Sequence, residues 1–327
     1  MNRRRTLATA LGAAALARAW PALAQQPAGR VWRVGILPGG LYAPRKFQWD
    51  AFQQRMVELG YVEGKNVQYE IRAPLEEGAP YDELAADLVR AKVDVIVATN
   101  VTAIAAANAA TREIPIVMCP SSDPVALGFV SSLRQPGGNL TGINVQTVDI
   151  IGKRLQLLRE MLPKVSRVAF VWNTQGGKAQ LEAVEQAAQK LGVKLQGIEV
   201  STPEALPGAL ETAVKGRAEA LMFMSSGFMF GLRAQITALA LKHRLPASYS
   251  QPSSVAAGGL MSYGPNDTEY YRQAAVFVDK IFKGRKPADL PVEQPLKWEL
   301  VINMKTAKAL GVTVPQVLLL QVTRVIE

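Results

Sequence analysis

The sequence predicts an α/β protein made of two Rossmann-like lobes, each a parallel sheet flanked by helices. Three observations lead there. Short β-branched runs alternate with helical periodicities along most of the chain. That rhythm breaks twice, at RQPGGNLTGINV (134–145) and AAGGLMSYGPN (256–266), in glycine-rich passages around one short strand each. And 327 residues exceed what one ordinary core holds. Alternating strands and helices imply parallel βαβ units with right-handed crossovers and helices on both faces.

VWRVGIL (31–37) is the first strand. Trp49, Phe52, Met56 and Leu59 then give a helix with one apolar face, stopped by Gly60. NVQYEIR (66–72) is the second strand, 82–91 a helix, and VDVIVA (93–98) the third strand. An alanine-rich helix follows, then IPIVMC (114–119) as the fourth strand. After the first break Ile151, Leu155, Leu158 and Leu162 line a helix, RVAFVWN (167–173) is a strand, and Leu181, Val184, Ala188 and Leu191 line the next helix. KLQGIEV (194–200), a helix from about Pro203, AEALMFMS (218–225), a helix over Leu232, Ile236 and Leu239, and LPASYS (245–250) complete the second unit. Past the second break, Tyr271, Ala274, Ala275, Val278 and Phe282 share a helix face. LPVEQP (290–295) and KWELVIN (297–303) read as strands, and a short helix begins at Lys305. The apolar ends LGVTVPQVLLL and VTRVIE show no decisive period. Single-strand passages between two units have little chain to bend and few packed contacts, as a hinge requires.

A hydrophobic content of 49% with 20% charged residues argues for a folded chain. The formal charge is +10, but Arg3, Arg4, Arg5 and Arg18 all lie in the first 24 residues, which hold no acid. Elsewhere the cations are scattered, without a Lys/Arg tract interleaved with aromatics, so nucleic acid is not an expected partner. The balance supports only a mild preference for anions. Residues 1–24 read as an export signal: a basic MNRRR, a short apolar TLATALGAAALA, and a small-x-small site at Ala22-Leu23-Ala24. The apolar run is too short for a stable membrane span. Arg3 and Arg4 with Leu7 also fit a twin-arginine signal, although Thr6 stands where an aromatic is usual. No cysteine follows the cleavage site, so no lipid anchor is expected there, and the expected location is the periplasm.

In an open parallel sheet, ligands bind beyond the carboxyl ends of the strands, where helix N-termini present N–H groups. Those ends are PGGLY (38–42, with Gly40 and Tyr42), TNVT (99–102, with Thr99, Asn100 and Thr102) and PSSDP (120–124, with Ser121, Ser122 and Asp123). The second unit offers NTQGG (173–177, Asn173), SSGF (225–228, Ser225 and Phe228) and YSQP (249–252, Tyr249), and the two breaks add Asn144 and Tyr263. Hydroxyl, amide, aromatic and glycine recur, which suits hydrogen bonds to a small polar ligand and one or two stacking surfaces. The same residues are also ordinary helix caps, and capping alone stabilises by about 1 kcal/mol. Thr99, Ser121, Asn173 and Ser225 gain weight as a group because the fold aims their loops at one cleft. Tyr42, Phe228, Tyr249 and Tyr263 read equally as rim aromatics.

Catalytic equipment is sparse. His243 is the only histidine, at the end of a helical stretch, and Cys119 the only cysteine, closing an apolar run as a small buried hydrophobe. GxSxG, HExxH and GxxxxGK[ST] are absent, and GILPGG (35–40) has the wrong spacing for a dinucleotide fingerprint. No metal site, no cofactor and no enzymatic activity are expected.

The segments WRVGIL, FQQRMVELGYVEGKNV, YDELAADLV, DPVALGFVSSLRQPGGNLTG, KRLQLLREMLP, LKHRLPASY, GGLMSYGPN, KIFKGRKPADLPVEQPLKWELVIN and KTAKALG also carry a resemblance. The chain resembles the ABC transporter substrate-binding family that includes tryptophan- and tyrosine-type binding proteins, built on the type I periplasmic binding protein fold. The resemblance implies a monomer whose cleft closes on a small organic ligand, an amino acid (aromatic ones included) or related carboxylate, and delivers it to an ABC permease in the inner membrane. It implies three crossings between lobes: 31–143 with about 264–294 in one lobe, 144–262 with about 296–327 in the other. It also implies ligand groups at Thr99, Asn100, Thr102, Ser121, Ser122, Asp123, Asn144, Asn173, Ser225 and Tyr263. Thr-Asn-Val-Thr replaces the family's Gly/Ala-Thr-Pro-type turn, and Thr174 follows Asn173 where a proline is usual, so an aromatic amino acid does not carry over as the ligand. A sensor subunit docking on a signalling receptor and a racemase-like enzyme are the alternatives. The familiar cofactor-independent racemases of this shape use two cysteines.

Overall fold

Strands that are apolar on every residue need cover on both faces, and the chain supplies it with helices on either side of two sheets. The computed structural model describes residues 30–76, 79–174, 176–295 and 297–327, so the export signal expected over 1–24 lies outside the described residues. Val31–Glu327 form one unit. The chain runs β1 (Trp32–Leu37), α1 (Lys46–Glu58), β2 (Val67–Ile71), α2 (Asp82–Arg90), β3 (Val95–Ala98), α3 (Val101–Ala110), β4 (Ile116–Ser121) and β5 (Leu140–Asn144). These strands form an all-parallel sheet in the order β2-β1-β3-β4-β5.

Strand parity divides this sheet's two faces. Val34, Ile36, Val95, Val97, Val117 and Cys119 point to one side, where Trp49, Phe52 and Met56 of α1 cover them. Leu37, Ile96, Ala98, Ile116 and Met118 point to the other, under α2 and α3. Full burial of each such aliphatic side chain is worth roughly 1.5–3 kcal/mol. Cys119 is fully buried, and its burial pushes the thiol well above its usual range, so it behaves as a core hydrophobe.

The second sheet grows from α4 (Thr147–Met161), β6 (Arg167–Trp172), α5 (Lys178–Leu191), β7 (Lys194–Glu199), α6 (Leu206–Lys215), β8 (Ala220–Phe223), α7 (Gly227–Gly231), α8 (Arg233–Lys242), β9 (Ala247–Tyr249), α9 (Pro252–Ala256) and β10 (Met261–Pro265). The chain then returns as α10 (Glu269–Phe282), which packs beside α1 on the first sheet. It ends with β11 (Trp298–Asn303), α11 (Met304–Leu310), α12 (Gln316–Leu319) and β12 (Arg324–Ile326). The strand order is β12-β11-β10-β9-β8-β6-β7, parallel except where β11 runs antiparallel to β10. His243 is the C-cap of α8. No described helix is long and apolar enough to cross a membrane.

Two expected strands are shorter than their sequence patterns. LPVEQP makes a single bridge, Glu293 to Ile143, because Pro291 and Pro295 have no N–H to extend a ladder. LPASYS contributes only Ala247–Tyr249, starting after Pro246. The undecided C-terminal VTRVIE pairs as β12 alongside β11.

One buried charge ties the second sheet to its helix layer. Arg154 of α4 is 1% exposed, and its Nη2 donates to Phe223 O at the end of β8 (2.8 Å) and to Ser248 O of β9 (3.0 Å). Burial pushes the guanidinium down to about 9, which leaves it charged at neutral pH. Arg154→Ala strips two buried carbonyls of their donor and opens a cavity, so we expect a loss of ~3–5 kcal/mol in urea unfolding. An unchanged midpoint would show that water replaces the guanidinium.

Candidate ligand-binding cleft

Because the first sheet is wholly parallel and β6, β8, β9 and β10 of the second run one way, their carboxyl ends open on a common gap. The gap holds a cavity of about 170 Å³. The first sheet contributes Gly39 after β1, Thr99 to Thr102 at the β3–α3 junction, and Pro120 to Ser122 at the end of β4. Arg45 and Gln48 enter from the start of α1, and Tyr270 and Tyr271 from the start of α10. Opposite them stand Asn173, Gln180, Met224 to Phe228, Phe230, Ser250 and Gln251. Val145, Thr147 and Ile150 close one end, where the chain first passes between the sheets.

The junction TNVT is built as both cap and wall. Asn100 sits at φ +63°, and its Oδ1 accepts the Ala103 N–H at 2.8 Å, capping α3. Thr99 Oγ1 accepts the Gly39 N–H at 2.5 Å. A Cβ on Gly39 would lie 2.6 Å from Asn100 Cγ and 2.7 Å from Thr99 O, so only glycine fits there. Across the gap, Gln180 and Ser225 exchange two bonds: Gln180 Nε2 donates to Ser225 O (2.9 Å), and Ser225 N–H donates to Gln180 Oε1 (2.8 Å). Ser226 Oγ caps α7 by accepting the Met229 N–H at 3.2 Å. Asn173, 4% exposed, has an Oδ1 with no hydrogen-bond partner among the described residues.

The two walls touch at the mouth. Arg45 Nη2 donates to Gly227 O at 2.6 Å, and Arg233 Nη2 donates to Pro44 O at 2.9 Å. A Cβ on Gly227 would lie 2.8 Å from Gly39 O, so the backbones of the two sides meet glycine to glycine. Arg233 lies over the Phe230 ring at 4.5 Å, and Phe230 stacks near Phe47 with centroids 6.4 Å apart. Burial, together with the nearby Arg45 charge, pushes Arg233 below the usual arginine range. Burial also pushes the Tyr270 and Tyr271 hydroxyls well above theirs, which keeps both neutral.

Eight of the sequence-predicted residues line the cavity: Thr99, Asn100, Thr102, Ser121, Ser122, Asn173, Ser225 and Phe228. Six do not. Gly40 is consumed in a tight turn, its N–H on Pro38 O, and Gly39 faces the cleft instead. Tyr42 packs on the α1–α10 core. Asp123 is exposed and caps the next turn through the Ala126 N–H. Asn144 is buried where β5 meets the Glu293 bridge, and its N–H donates to Glu293 O. Tyr249 stacks on Phe223 inside the second core (5.5 Å, 4°), and Tyr263 packs on Trp298 (6.1 Å). Arg45, Gln48, Gln180, Tyr270 and Tyr271 were not anticipated as wall residues. Each lies at a helix start in register with that helix's apolar stripe (Arg45 and Gln48 with Phe52 and Met56, Gln180 with Val184 and Ala188), and that register is the signal that finds them.

Two α/β lobes facing a shared cavity give the chain the type I periplasmic binding protein fold. More particularly, the chain belongs to the ABC transporter substrate-binding protein family, whose profile matches residues 44–326. The tyrosine-binding protein of Clostridioides difficile (strain R20291) is 26% identical to it over 261 residues, 79% of this chain and 75% of that one. In fold it is similar to a conserved domain protein from Vibrio cholerae O1 biovar El Tor, with a TM-score of 0.83 at 24% identity, covering 90% of this chain and 100% of that one. The ABC domain from Streptococcus pneumoniae solved with L-Trp gives a TM-score of 0.82 at 22% identity, again with 90% and 100% coverage. Proteins of this family bind small molecules and work with ABC transporters.

Asp267, between β10 and α10, is buried with its Oδ2 on the Ser253 N–H (2.9 Å) and within the fields of Arg233 and Arg324. Burial outweighs them and raises its carboxyl from 3.8 to about 6. Folding therefore shifts the balance toward the neutral form, although the group is still mostly ionised at pH 7. Its stabilisation is fully present below about 3.8 and is lost as pH rises to about 6. Taking the pH from 7 to 4 should thus stabilise the native protein relative to Asp267→Asn by up to ~3 kcal/mol. Urea midpoints of the two proteins across that range check this; parallel curves would refute it.

Proposed function

We propose that the chain is the periplasmic solute-binding protein of an ABC importer, capturing a small organic ligand between its lobes and handing it to an inner-membrane permease. The ligand class is an amino acid, aromatic ones included, or a related carboxylate. The observation that carries this reading is the mouth of the cleft. A polar cavity lies between the two sheets, and the sides meet through Arg45 and Gly227 and through Gly39 against Gly227. Such contacts give ligand and protein a shared closed state, and a ligand that bridges both walls favours it. A cavity of about 170 Å³ suits a ligand of one ring or one amino-acid skeleton, since ~150 Å³ accommodates benzene.

Closure needs flexible crossings, and three stretches serve in this proposal: 144–147, 265–269 and 293–295. Each is short, and two carry a proline, Pro265 or Pro295, where a continuous ladder would otherwise stiffen the passage. Thr99, Asn100, Thr102, Ser121, Ser122, Asn173, Ser225 and Phe228 are proposed as ligand contacts, joined by Arg45, Gln48, Gln180, Tyr270 and Tyr271. The basic, then apolar N-terminal sequence with its small-x-small site supports export, and a monomer is the working state.

The test is native mass spectrometry of the protein recovered from the periplasm without refolding, followed by denaturation to release its cargo. A stoichiometric small molecule is expected; persistent absence of one, with no thermal shift across amino acids and organic acids, would overturn the reading. Gly227→Ala places a methyl 2.8 Å from Gly39 O, a contact that this proposal assigns to the closed cleft. It should weaken that ligand at least tenfold and leave the melting temperature of the ligand-free protein unchanged. Equal affinity would show that closure does not use this contact.

A further inference from the structure

Asp267 lies in the 265–269 crossing, and it is the one residue of 266–269 turned fully inward. Asn266 and Thr268 are half-buried and Glu269 is exposed, whereas Asp267 is 4% exposed. Pro265 and Tyr270, before and after it in the chain, line the cleft. Its Oδ2 accepts the Ser253 N–H at 2.9 Å, and its Oδ1 is buried without a hydrogen-bond partner among the described residues. A carboxylate with one buried oxygen unpaired is poorly accommodated in its ionised form.

The groups that face it do not remove that deficit. Arg233 on α8 attracts the carboxylate through its field, but its Nη1 donates to Phe230 O (3.1 Å) and its Nη2 to Pro44 O across the mouth (2.9 Å). Arg324 on β12 also acts through its field. From α10 come Tyr270 and Tyr271, both neutral, and from α9 the Ser253 N–H. Glu299 on β11 is a second carboxylate, with its Oε1 on Asn266 Nδ2 (2.9 Å), and Arg45 on α1 reaches Arg233 as a like charge. Burial prevails over these fields and raises the Asp267 carboxyl to about 6 in this arrangement.

Parting the lobes would change these surroundings twice, with one sign. Ser253 and Arg233 belong to elements of the second sheet, and Tyr270 and Tyr271 pack on the first. Separating them brings water to Oδ1. It also takes Pro44 O away from Arg233, whose Nη2 is then free to turn toward the carboxylate. Both changes favour the anion in the open form, so by linkage a proton on Asp267 favours the closed one.

Resting on the closure reading given above, we infer that Asp267 couples the cleft to pH: closing on a solute moves a proton from solvent onto the Asp267 carboxylate, and opening returns it. A solute is then held more tightly in acidic than in neutral surroundings.

Isothermal titration of the protein expressed from its full chain, at pH 5 and pH 7.5, tests this. The probes are L-tryptophan, L-tyrosine and L-phenylalanine, which stay zwitterionic across the range, and any cargo that native mass spectrometry identifies. Each titration is run in two buffers of different ionisation enthalpy, which counts the protons exchanged. With the carboxyl near 3.8 when open and about 6 when closed, affinity should be up to about tenfold higher at pH 5. Binding should take up most of one proton at pH 5 and almost none at pH 7.5. Asp267→Asn should bind equally well at both pH values and take up no proton. The proton count on the unmodified protein decides the matter even where that variant fails to fold. Binding to the unmodified protein without proton uptake at pH 5 overturns the inference, as does the same uptake in Asp267→Asn; either result leaves the solute-binding reading standing. A protein with no cargo and no response to any probe removes both.

Discussion

The direction shared by the strands is the constraint on which the rest of this structure depends. Every strand of the first sheet, and β6 to β10 in the second, runs the same way along its sheet, so each sheet has one edge where carboxyl ends and helix N-termini gather. Gly39, Thr99 and Ser121 follow from that on one side, and Asn173, Ser225 and Ser250 on the other. The residues differ in chemistry, but their placement needs no separate explanation. The antiparallel β11 and its neighbour β12 lie at the far edge of the second sheet, where the reversal does not disturb the cleft.

The same arrangement couples the cleft to the passages between the sheets. Thr147 and Ile150 belong to the first turns after the first crossing; Tyr270 and Tyr271 belong to the first turn after the second. In the proposed closure, a ligand touching these residues would touch elements whose orientation changes as the crossings bend. Glycine at 39 and 227 lets the two backbones approach to contact, and the arginine bonds to Gly227 O and Pro44 O then act across that contact. Both bonds end on carbonyls, so they hold the mouth shut without a salt bridge whose separation would leave two charges to resolvate.

Most of the fold was legible in the sequence because its signals are local. Apolar runs such as VDVIVA, stripes such as Trp49, Phe52 and Met56, and the glycine-rich breaks each report their own segment. LPVEQP misled because alternation looks the same whether or not a partner strand exists, and its two prolines carried the decisive information. In the cleft, the loop residues were legible by type, but their direction was not. Tyr249 and Tyr263 read as rim aromatics, yet they lie within strands β9 and β10, where parity turns them onto Phe223 and Trp298. Arg45, Gln48 and Gln180 were passed over because a polar residue in register with an apolar stripe reads as a solvated helix end. In a parallel α/β lobe the first turn of a helix stands beside the strand end, so that position faces the cleft.

Capping and ligand binding, which compete as explanations of each loop residue, divide the work between different atoms. Asn100 Oδ1 is taken by the Ala103 N–H, Ser226 Oγ by the Met229 N–H, and Thr99 Oγ1 by the Gly39 N–H. The carbonyls of Leu41 and Gly227 are taken by Arg45, and that of Ser225 by Gln180. In every case the fold has paired an acceptor with a donor of its own, and the Ser225 N–H is spent on Gln180 Oε1 in the same way. What the local rules leave over is of both kinds: the first-turn N–H groups of Val101 and Thr102 lie outside the α3 ladder, and Asn173 Oδ1 has no partner among the described residues. The polarity of the cleft is then set by the same local rules that start its helices, and the atoms those rules do not use are the ones left to meet a ligand.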